Sequence, residues 1–489
     1  MTRMQSHIRN EPAVEQRMRR REFLQTTVGG TLLCLHGSGV LAFGGERKAS
    51  QLLSPGCRRS KVKVARIYLG VPRAHYPNPA IDLGAEMATY RAEFAKLKEE
   101  LSDVDFVVDE LVGSAEQVKS LKNRIEGVDG ILAIHLTLWT MPAMKELLAL
   151  GLPTVIFAIP YSGHEWYDLS AIRRDKLGER LECLFTTDYQ QLAVAIRPFR
   201  AIHHLREAKV LNLAAASPAE YHAEVKTRFG TEIKPVTRER VLELYNSVSD
   251  VDARAEAGRW TKNAVAIVEP SAEEILKSSR LALAFQKLLD EEQATVLTAD
   301  CYGSMYHQLP AYPCIGFTRL NDLGFGGICQ SDLPCAMVHI LFQGLCGRPG
   351  FVCNPTFDFT ANSATLIHCL GSTRMDGPDR PAAPYKLRSI MEREEGAVPE
   401  VRMRIGERVT TGILAGTSAM RYFTGRIVDT PDTDRGCRTK ITVKLDGDAE
   451  KLWQNWTAGI HRVSCYGDLA KELAWFCRFK GLSLINEAA

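Results

Sequence analysis

From residue 62 onward the apolar positions fall into two alternating textures. Short continuous apolar runs occupy 62–69, 105–109, 130–135, 153–159 and 181–186, and amphipathic segments occupy 82–101, 115–125, 142–149 and 190–206. Continuous runs mark strands buried on both faces, so this alternation predicts a parallel sheet covered by helices on each side. No Gly-x-Gly-x-x-Gly follows the first strand, and Leu69-Gly70-Val71-Pro72 is too plain for a dinucleotide turn. The pattern then starts again. A strand at 210–215, a charged helical stretch at 236–262, a helix at 270–291 and a strand at 295–297 lead to a helix at 334–345 between two glycine-bearing strands. Beyond about residue 371 the runs at 401–404, 408–411, 412–414, 421–429 and 439–445 are short, alternating and separated by Gly, Asp and Pro. That is the texture of antiparallel β structure closed into a small barrel or sandwich. The expected fold class is α/β. Two doubly wound, Rossmann-like parallel-sheet domains (62–207 and 208–371) precede a β-rich, barrel-like C-terminal domain (372–489).

Composition narrows the partners. The 489 residues carry 61 basic and 58 acidic side chains, a formal net charge of +3, and 45% hydrophobic content. No basic stripe interleaved with aromatics is present, which argues against nucleic acid. At the N-terminus Arg17, Arg19, Arg20 and Arg21 precede Glu22-Phe23-Leu24-Gln25 and a mild apolar run over 26–43. This resembles a bacterial twin-arginine export signal, and Gly29, Gly30, His36 and Gly37 make the run too poor for a membrane span. Residues 1–51 are expected to be signal and leader, and the mature protein is expected in the periplasm or otherwise exported by the twin-arginine route, free of the membrane. Seven of the 13 cysteines lie between Cys301 and Cys369 in apolar or Gly-rich surroundings, which reads as buried thiols. No Cys-x-x-Cys occurs, which argues against a structural zinc site.

The stretch from Gly326 to Cys369 reads GGICQSDLPCAMVHILFQGLCGRPGFVCNPTFDF…LIHC. It offers Gln330-Ser331-Asp332, then Gly347-Arg348-Pro349, then Asn354, and ends on His368-Cys369. Farther on, Gly459-Ile460-His461 leads into Gly467-Asp468. With two α/β units ahead of a β-rich domain, this order resembles the L-fucose isomerase and L-arabinose isomerase superfamily. Members of that superfamily carry Glu-x-Asp where this chain has Gln330-Ser331-Asp332, and Asp where Asn354 stands. The interval from Gln330 to Asn354 equals the family's interval between its acidic ligands. His461 matches a family histidine ligand, and His368-Cys369 matches the His-Cys pair of shorter relatives.

The resemblance implies aldose–ketose interconversion of a monosaccharide or related polyol, in a homo-oligomer of three or six chains. It also implies Mn²⁺ or another divalent cation held at the positions of Gln330, Asn354 and His461. Arg73 and His75 fall where relatives place substrate contacts from a neighbouring subunit. Such a reaction moves a proton between neighbouring carbons through an enediol, with a cation on the sugar oxygens and a carboxylate as shuttle. Gln330 and Asn354 keep an oxygen ligand each, but two negative charges and two possible bases are gone.

Three readings follow. Asp332 takes over as base or ligand with His368 and His461 helping, so that Asp332 and His368 are the catalytic candidates. Alternatively Gln330, Asn354 and Arg73 bind a carbohydrate without turning it over, since amides both donate to and accept from hydroxyls. In the third, the acids lie elsewhere, at Asp300, Asp322 or Asp358. Structural roles compete at each position. Asp332 before Leu333-Pro334 is a natural helix cap, and Gln330 and Asn354 could cap neighbouring elements. His339 reads as a packed histidine, Arg348 as a surface salt-bridge residue, and His203-His204 cannot share a helix face.

Overall fold

The computed structural model describes residues 52–489; the twin-arginine segment and leader lie outside the described residues. The first sheet is built from β1 (Val62–Leu69), β2 (Val104–Val112), β3 (Gly130–His135), β4 (Thr154–Ala158) and β5 (Leu181–Phe185), interleaved with α1 (Leu83–Lys96), α2 (Ala115–Ile125), α3 (Met141–Ala149) and α4 (Trp166–Ile172) and followed by α5 (Gln191–Glu207). Its order is β2-β1-β3-β4-β5 with every pairing parallel. The continuous apolar run of β1 serves two cores: Val64 and Tyr68 pack into one face, Ala65, Ile67 and Leu69 into the other. The helix predicted over 82–101 stops at Lys96, where the Leu97 N–H turns back to Phe94 O, and Asp82 caps its start.

The second sheet repeats the plan. It is drawn from β6 (Lys209–Leu213), α6 (Ala219–Phe229), β7 (Glu232–Pro235), α7 (Arg238–Ser247), α8 (Asp250–Asn263), β8 (Ala266–Ile267), α9 (Ala272–Glu292), β9 (Val296–Ala299), α10 (Cys314–Asp322), β10 (Gly326–Cys329) and α11 (Leu333–Cys346). Its order is β10-β9-β6-β7, all parallel, while β8 leaves to join another sheet. In both sheets the order reverses between the first and third strands, which opens a crevice at the carboxyl ends.

The remaining elements are β11 (Phe351–Asp358), β12 (Ser363–His368), β13 (Tyr385–Ile390), β14 (Glu395–Val401), β15 (Arg408–Ala415), β16 (Ala419–Asp429), β17 (Thr439–Leu445), α12 (Ala449–Asn455), β18 (Arg462–Tyr466), α13 (Ala470–Lys480) and β19 (Ser483–Asn486). Strands β15-β18-β11-β12-β17-β16 pair antiparallel in that order, and β15 pairs with β16 to close a six-stranded barrel. β19 runs parallel on β16, and β14-β13-β8 form a separate small sheet. Three expectations are corrected. The barrel takes β11 and β12 from residues 351–368, ahead of the boundary expected at 372, because their partners β17 and β18 come only later in the chain. The stretch 401–404 is the exit of β14 rather than a strand. The runs at 408–411 and 412–414 are one strand. Gly412 is interior to it because a Cβ there would sit 2.7 Å from Arg421 O of the facing strand.

Helix α11 joins these parts. Nearly all of its side chains are buried, and it packs against α5, β10, β15 and β18. At Gly344 it approaches α5 so closely that a Cβ would lie 2.5 Å from Ala201 Cα. Behind the barrel end that faces α11, the fully buried Arg462 pairs with the fully buried Glu487 through Nε (3.0 Å) and Nη2 (2.8 Å). Its remaining nitrogen donates to the carbonyls of Gly459 (3.1 Å) and His461 (2.8 Å), fixing the loop that enters β18. Removing one partner of a buried pair leaves a bare charge and costs about 3 kcal/mol or more. Glu487→Gln should therefore lower the denaturant midpoint by a corresponding amount. An unchanged midpoint would mean that Arg462 is solvated and the loop is not held this way.

Candidate functional site

The chain leaves β10 at the carboxyl edge of the second sheet through Gln330 (φ 60°) and Ser331 (φ 54°). Two consecutive non-glycine residues in the left-handed region are costly and persist only where their surroundings hold them. Here Ser331 N donates to Ala299 O (3.1 Å) and Ser331 Oγ to Asn212 Oδ1 (2.6 Å). The turn delivers Asp332 to the start of α11. One carboxylate oxygen accepts Cys335 N–H (2.9 Å) and caps the helix; the other meets His461 Nδ1 at 2.9 Å. The helix-cap reading of Asp332 holds, and the same carboxylate also meets the barrel histidine.

The barrel supplies the other side. Cys353 of β11 pairs with Arg462 of β18, so Asn354 and His461 stand one step farther along the same two strands. Asn354 in turn pairs with Ile367 of β12, whose next residue is His368. The rings of His368 and His461 meet edge to face, 5.3 Å between centroids. Three polar atoms in this group are buried without a partner among the described residues: Asn354 Oδ1, His368 Nδ1 and His461 Nε2. Buried polar atoms are rarely left so, and orphans on three neighbouring strand segments are candidates to meet a ligand's polar groups.

Burial, reinforced by His461, pushes the His368 imidazole down to about 3, so it is neutral at ordinary pH. Burial by itself would raise Asp332, but its bonds to His461 and Cys335 N–H outweigh burial and hold the carboxyl below its usual range. The only carboxylate of the group is therefore already committed, to a helix start and to an imidazole. A hard divalent ion prefers several carboxylate oxygens. Two imidazoles and the amides of Gln330 and Asn354 are a poor set for Mn²⁺.

Other candidates fall outside this cluster. Arg73 is exposed, in a left-handed loop position (φ 59°) after β1, on the first sheet. Asp300 closes its own loop by accepting Ser304 N–H and Oγ–H. Asp322 is buried and takes the hydroxyls of Ser372 and Thr373, and Asp358 accepts Ala361 N–H in an exposed turn. His339 is packed as expected: Gly350 N–H donates to Nδ1, Nε2 meets Phe325 O, and burial lowers it to about 4. Arg348 binds Tyr466 O rather than a carboxylate.

Sequence reasoning missed three polar clusters. His135 lies between Ser162 Oγ (2.8 Å) and Glu165 (2.8 Å), a nucleophile–base–acid order. Glu165, however, also accepts the N–H groups of Thr140 and Met141, so it serves as a cap for α3. Among the described residues, two groups bring three possible metal-ligating side chains within 4.8 Å: Cys57–His203–Glu207 and Cys369–Glu392–Cys437. The spacing of His203 and Glu207 was a legible hint, but their partner Cys57 comes from a segment distant in sequence.

No protein-family model and no curated protein matches this chain.

The Asp332–His461 link can be tested by pH. Asn at 332 still caps a helix but loses the anion, so Asp332→Asn should cost about 2 kcal/mol near neutrality. The folded pKa is depressed, so this contribution is present above the unfolded Asp value of about 3.9 and lost as pH falls through the lower folded value. Denaturation at several pH values should show the gap between wild type and variant complete at about pH 5 and closing below about 4. A gap that persists unchanged into strong acid would contradict the assignment.

Proposed function

We propose that the chain binds a monosaccharide or related polyol at the Asn354–His368–His461 cluster, with Gln330 on the adjoining turn. The observation that carries this reading is a set of three buried polar atoms without a partner among the described residues, on Asn354, His368 and His461, with a neutral imidazole among them. An apolar ligand would leave each of them unsatisfied, at about 1–3 kcal/mol apiece. A sugar hydroxyl donates and accepts at once, and so answers an amide oxygen and an imidazole nitrogen equally well. The carboxyl edge of a doubly wound sheet is also the ordinary ligand position for this architecture. The resemblance to sugar isomerases points to the same ligand class. The weak donor set argues that a divalent ion such as Mn²⁺ takes no tight part.

A second reading is favoured by one feature. His461 carries a carboxylate on Nδ1 and leaves Nε2 open, the arrangement of an oriented general base. In an isomerase, Nε2 would take the proton from the carbon beside the carbonyl and return it to the former carbonyl carbon, while the hydroxyl proton passes between the two neighbouring oxygens and Asp332 stabilises the imidazolium. His461 and Asp332 would then replace the base lost at Gln330 and Asn354. Arg73 is exposed in the loop after β1, two residues before His75, whose ring meets exposed Trp139, and is suited to a contact across a homo-oligomer of three or six chains. The Arg20-Arg21 signal supports export to the periplasm.

Calorimetric titration with a panel of aldoses, ketoses and polyols tests the proposal. At least one should bind, and Asn354→Leu should weaken it by roughly 10-fold or more, as expected for a buried polar contact. Folded protein that binds none of the panel, or a leucine variant that binds equally well, would overturn it. The metal argument has its own check. Gln330→Glu with Asn354→Asp should raise Mn²⁺ affinity by orders of magnitude and non-additively, because both acids would share one ion. Equal Mn²⁺ affinity in wild type and double variant would remove the two amides from the ligand positions.

A further inference from the structure

The second thiol cluster lies where three chain segments meet. Cys369 directly follows β12, and Cys437 lies just before β17; the two strands pair as far as His368 opposite Thr439, which brings the thiols together at the barrel edge. Glu392 comes from the turn between β13 and β14, in the small sheet beside the barrel. The two sulfurs and a carboxylate oxygen all lie within 4.8 Å of one another. Cys437 Sγ donates to Glu392 Oε1 (3.3 Å), and Tyr302 OH donates to Glu392 Oε2 (3.4 Å) and lies 4.0 Å from Cys369 Sγ. Both cysteines are free and buried, whereas Glu392 is exposed.

We propose that Cys369, Glu392 and Cys437 form a binding site for a thiophilic divalent cation of the Zn²⁺ class. Tetrahedral zinc, with Zn–S near 2.3 Å, needs its sulfurs roughly 3.8 Å apart, a spacing the cluster reaches with little movement. Binding releases the two thiol protons to solvent and leaves two thiolates and one carboxylate on the ion. The fourth position falls to water or to the Tyr302 phenol. Exposed Glu392 provides the entry path, and buried sulfur donors select a soft ion over Mn²⁺ or Mg²⁺. An ion there would tie the β13–β14 hairpin to the β12–β17 edge of the barrel. The Cys57–His203–Glu207 group is different in kind. His203 already uses both nitrogens, on Asp129 (2.9 Å) and Ser60 O (2.9 Å), and Glu207 takes Ser60 N–H and the Cys57 thiol. A metal would have to break that network. Cys346 and Cys465, 3.5 Å apart, have no third ligand grouped with them. The cluster is assembled from residues distant in sequence, so no sequence-local Cys-x-x-Cys announces it.

The test uses the full chain, reduced and stripped of metal. One equivalent of Co²⁺ should produce thiolate-to-cobalt charge-transfer absorption that Zn²⁺ displaces. Cys437→Ser should weaken binding by roughly 100-fold and Glu392→Ala by about 10-fold, while Cys57→Ser leaves it unchanged. Glu392 is exposed, so its variant should fold even if Cys437→Ser does not. As a second readout, Zn²⁺ should protect Cys369 and Cys437 from alkylation, mapped by mass spectrometry. Absence of the charge-transfer band, its loss in Cys57→Ser, full affinity in Glu392→Ala, or equal alkylation with and without Zn²⁺ would each overturn the proposal.

Discussion

Helix α11 has no polar face, and the rest of the chain is arranged to keep water from it. From Leu333 to Leu345 every residue but Pro334 is buried, and within this stretch the Gln343 amide N–H and His339 Nε2 meet the carbonyls of Gly324 and Phe325. A helix apolar on every side must be covered on every side. No single neighbouring layer can do that, so α5 of the first unit, the second sheet and the barrel strands β15 and β18 each take a face. The close approach at Gly344 and Ala201 tightens one of these contacts. The C-terminal helix α13 adds to the cover: Phe479 stacks on Phe199 of α5, and Trp475 enters the core of the first sheet.

The site follows from where that helix begins. Its first backbone N–H groups need an acceptor, and Asp332 supplies one with a single oxygen. The second oxygen is then held in a fixed direction at the junction of sheet and barrel, where it meets His461. His461 is fixed from behind as well, because buried Arg462 grips its carbonyl while paired with Glu487. Cap, imidazole and ion pair form one chain of constraints, so the open Nε2 is aimed by groups that also stabilise the fold. Such preorganisation is what a binding or proton-transfer site requires. The same economy explains why a carboxylate that looks catalytic in isolation has little basicity to spare.

Much of the architecture was legible. The apolar runs of β1, β3, β4 and β5 and the helix at Ala115–Ile125 stand where periodicity predicts them. The barrel was legible in texture but not in extent. β11 and β12 look like continuations of the second α/β unit until their partners β17 and β18 are known. Gly412 reads as a break but is a place where the facing backbone comes close. The pairing of Asp332 with His461 was foreshadowed by two separate motifs, whereas the burial that neutralises His368 was not. Burial depends on every neighbour, and hydrogen bonds between distant residues leave no local periodicity.

The sequence by itself determined the element types, the repeated parallel-sheet plan, the change to antiparallel β structure, the cap at Asp332 and the two amides at Gln330 and Asn354. Those features rest on local steric preference, on hydrophobic period and on residue chemistry, which each short segment carries with it. Tertiary structure alone decided that Asn354, His368 and His461 fall on neighbouring barrel strands, each with a buried atom unpartnered among the described residues. It also decided that Cys369 and Cys437 converge on Glu392. Strand register and barrel closure set these meetings. Register is fixed by side chains packing across strands far apart in the chain, an energy no single segment contains.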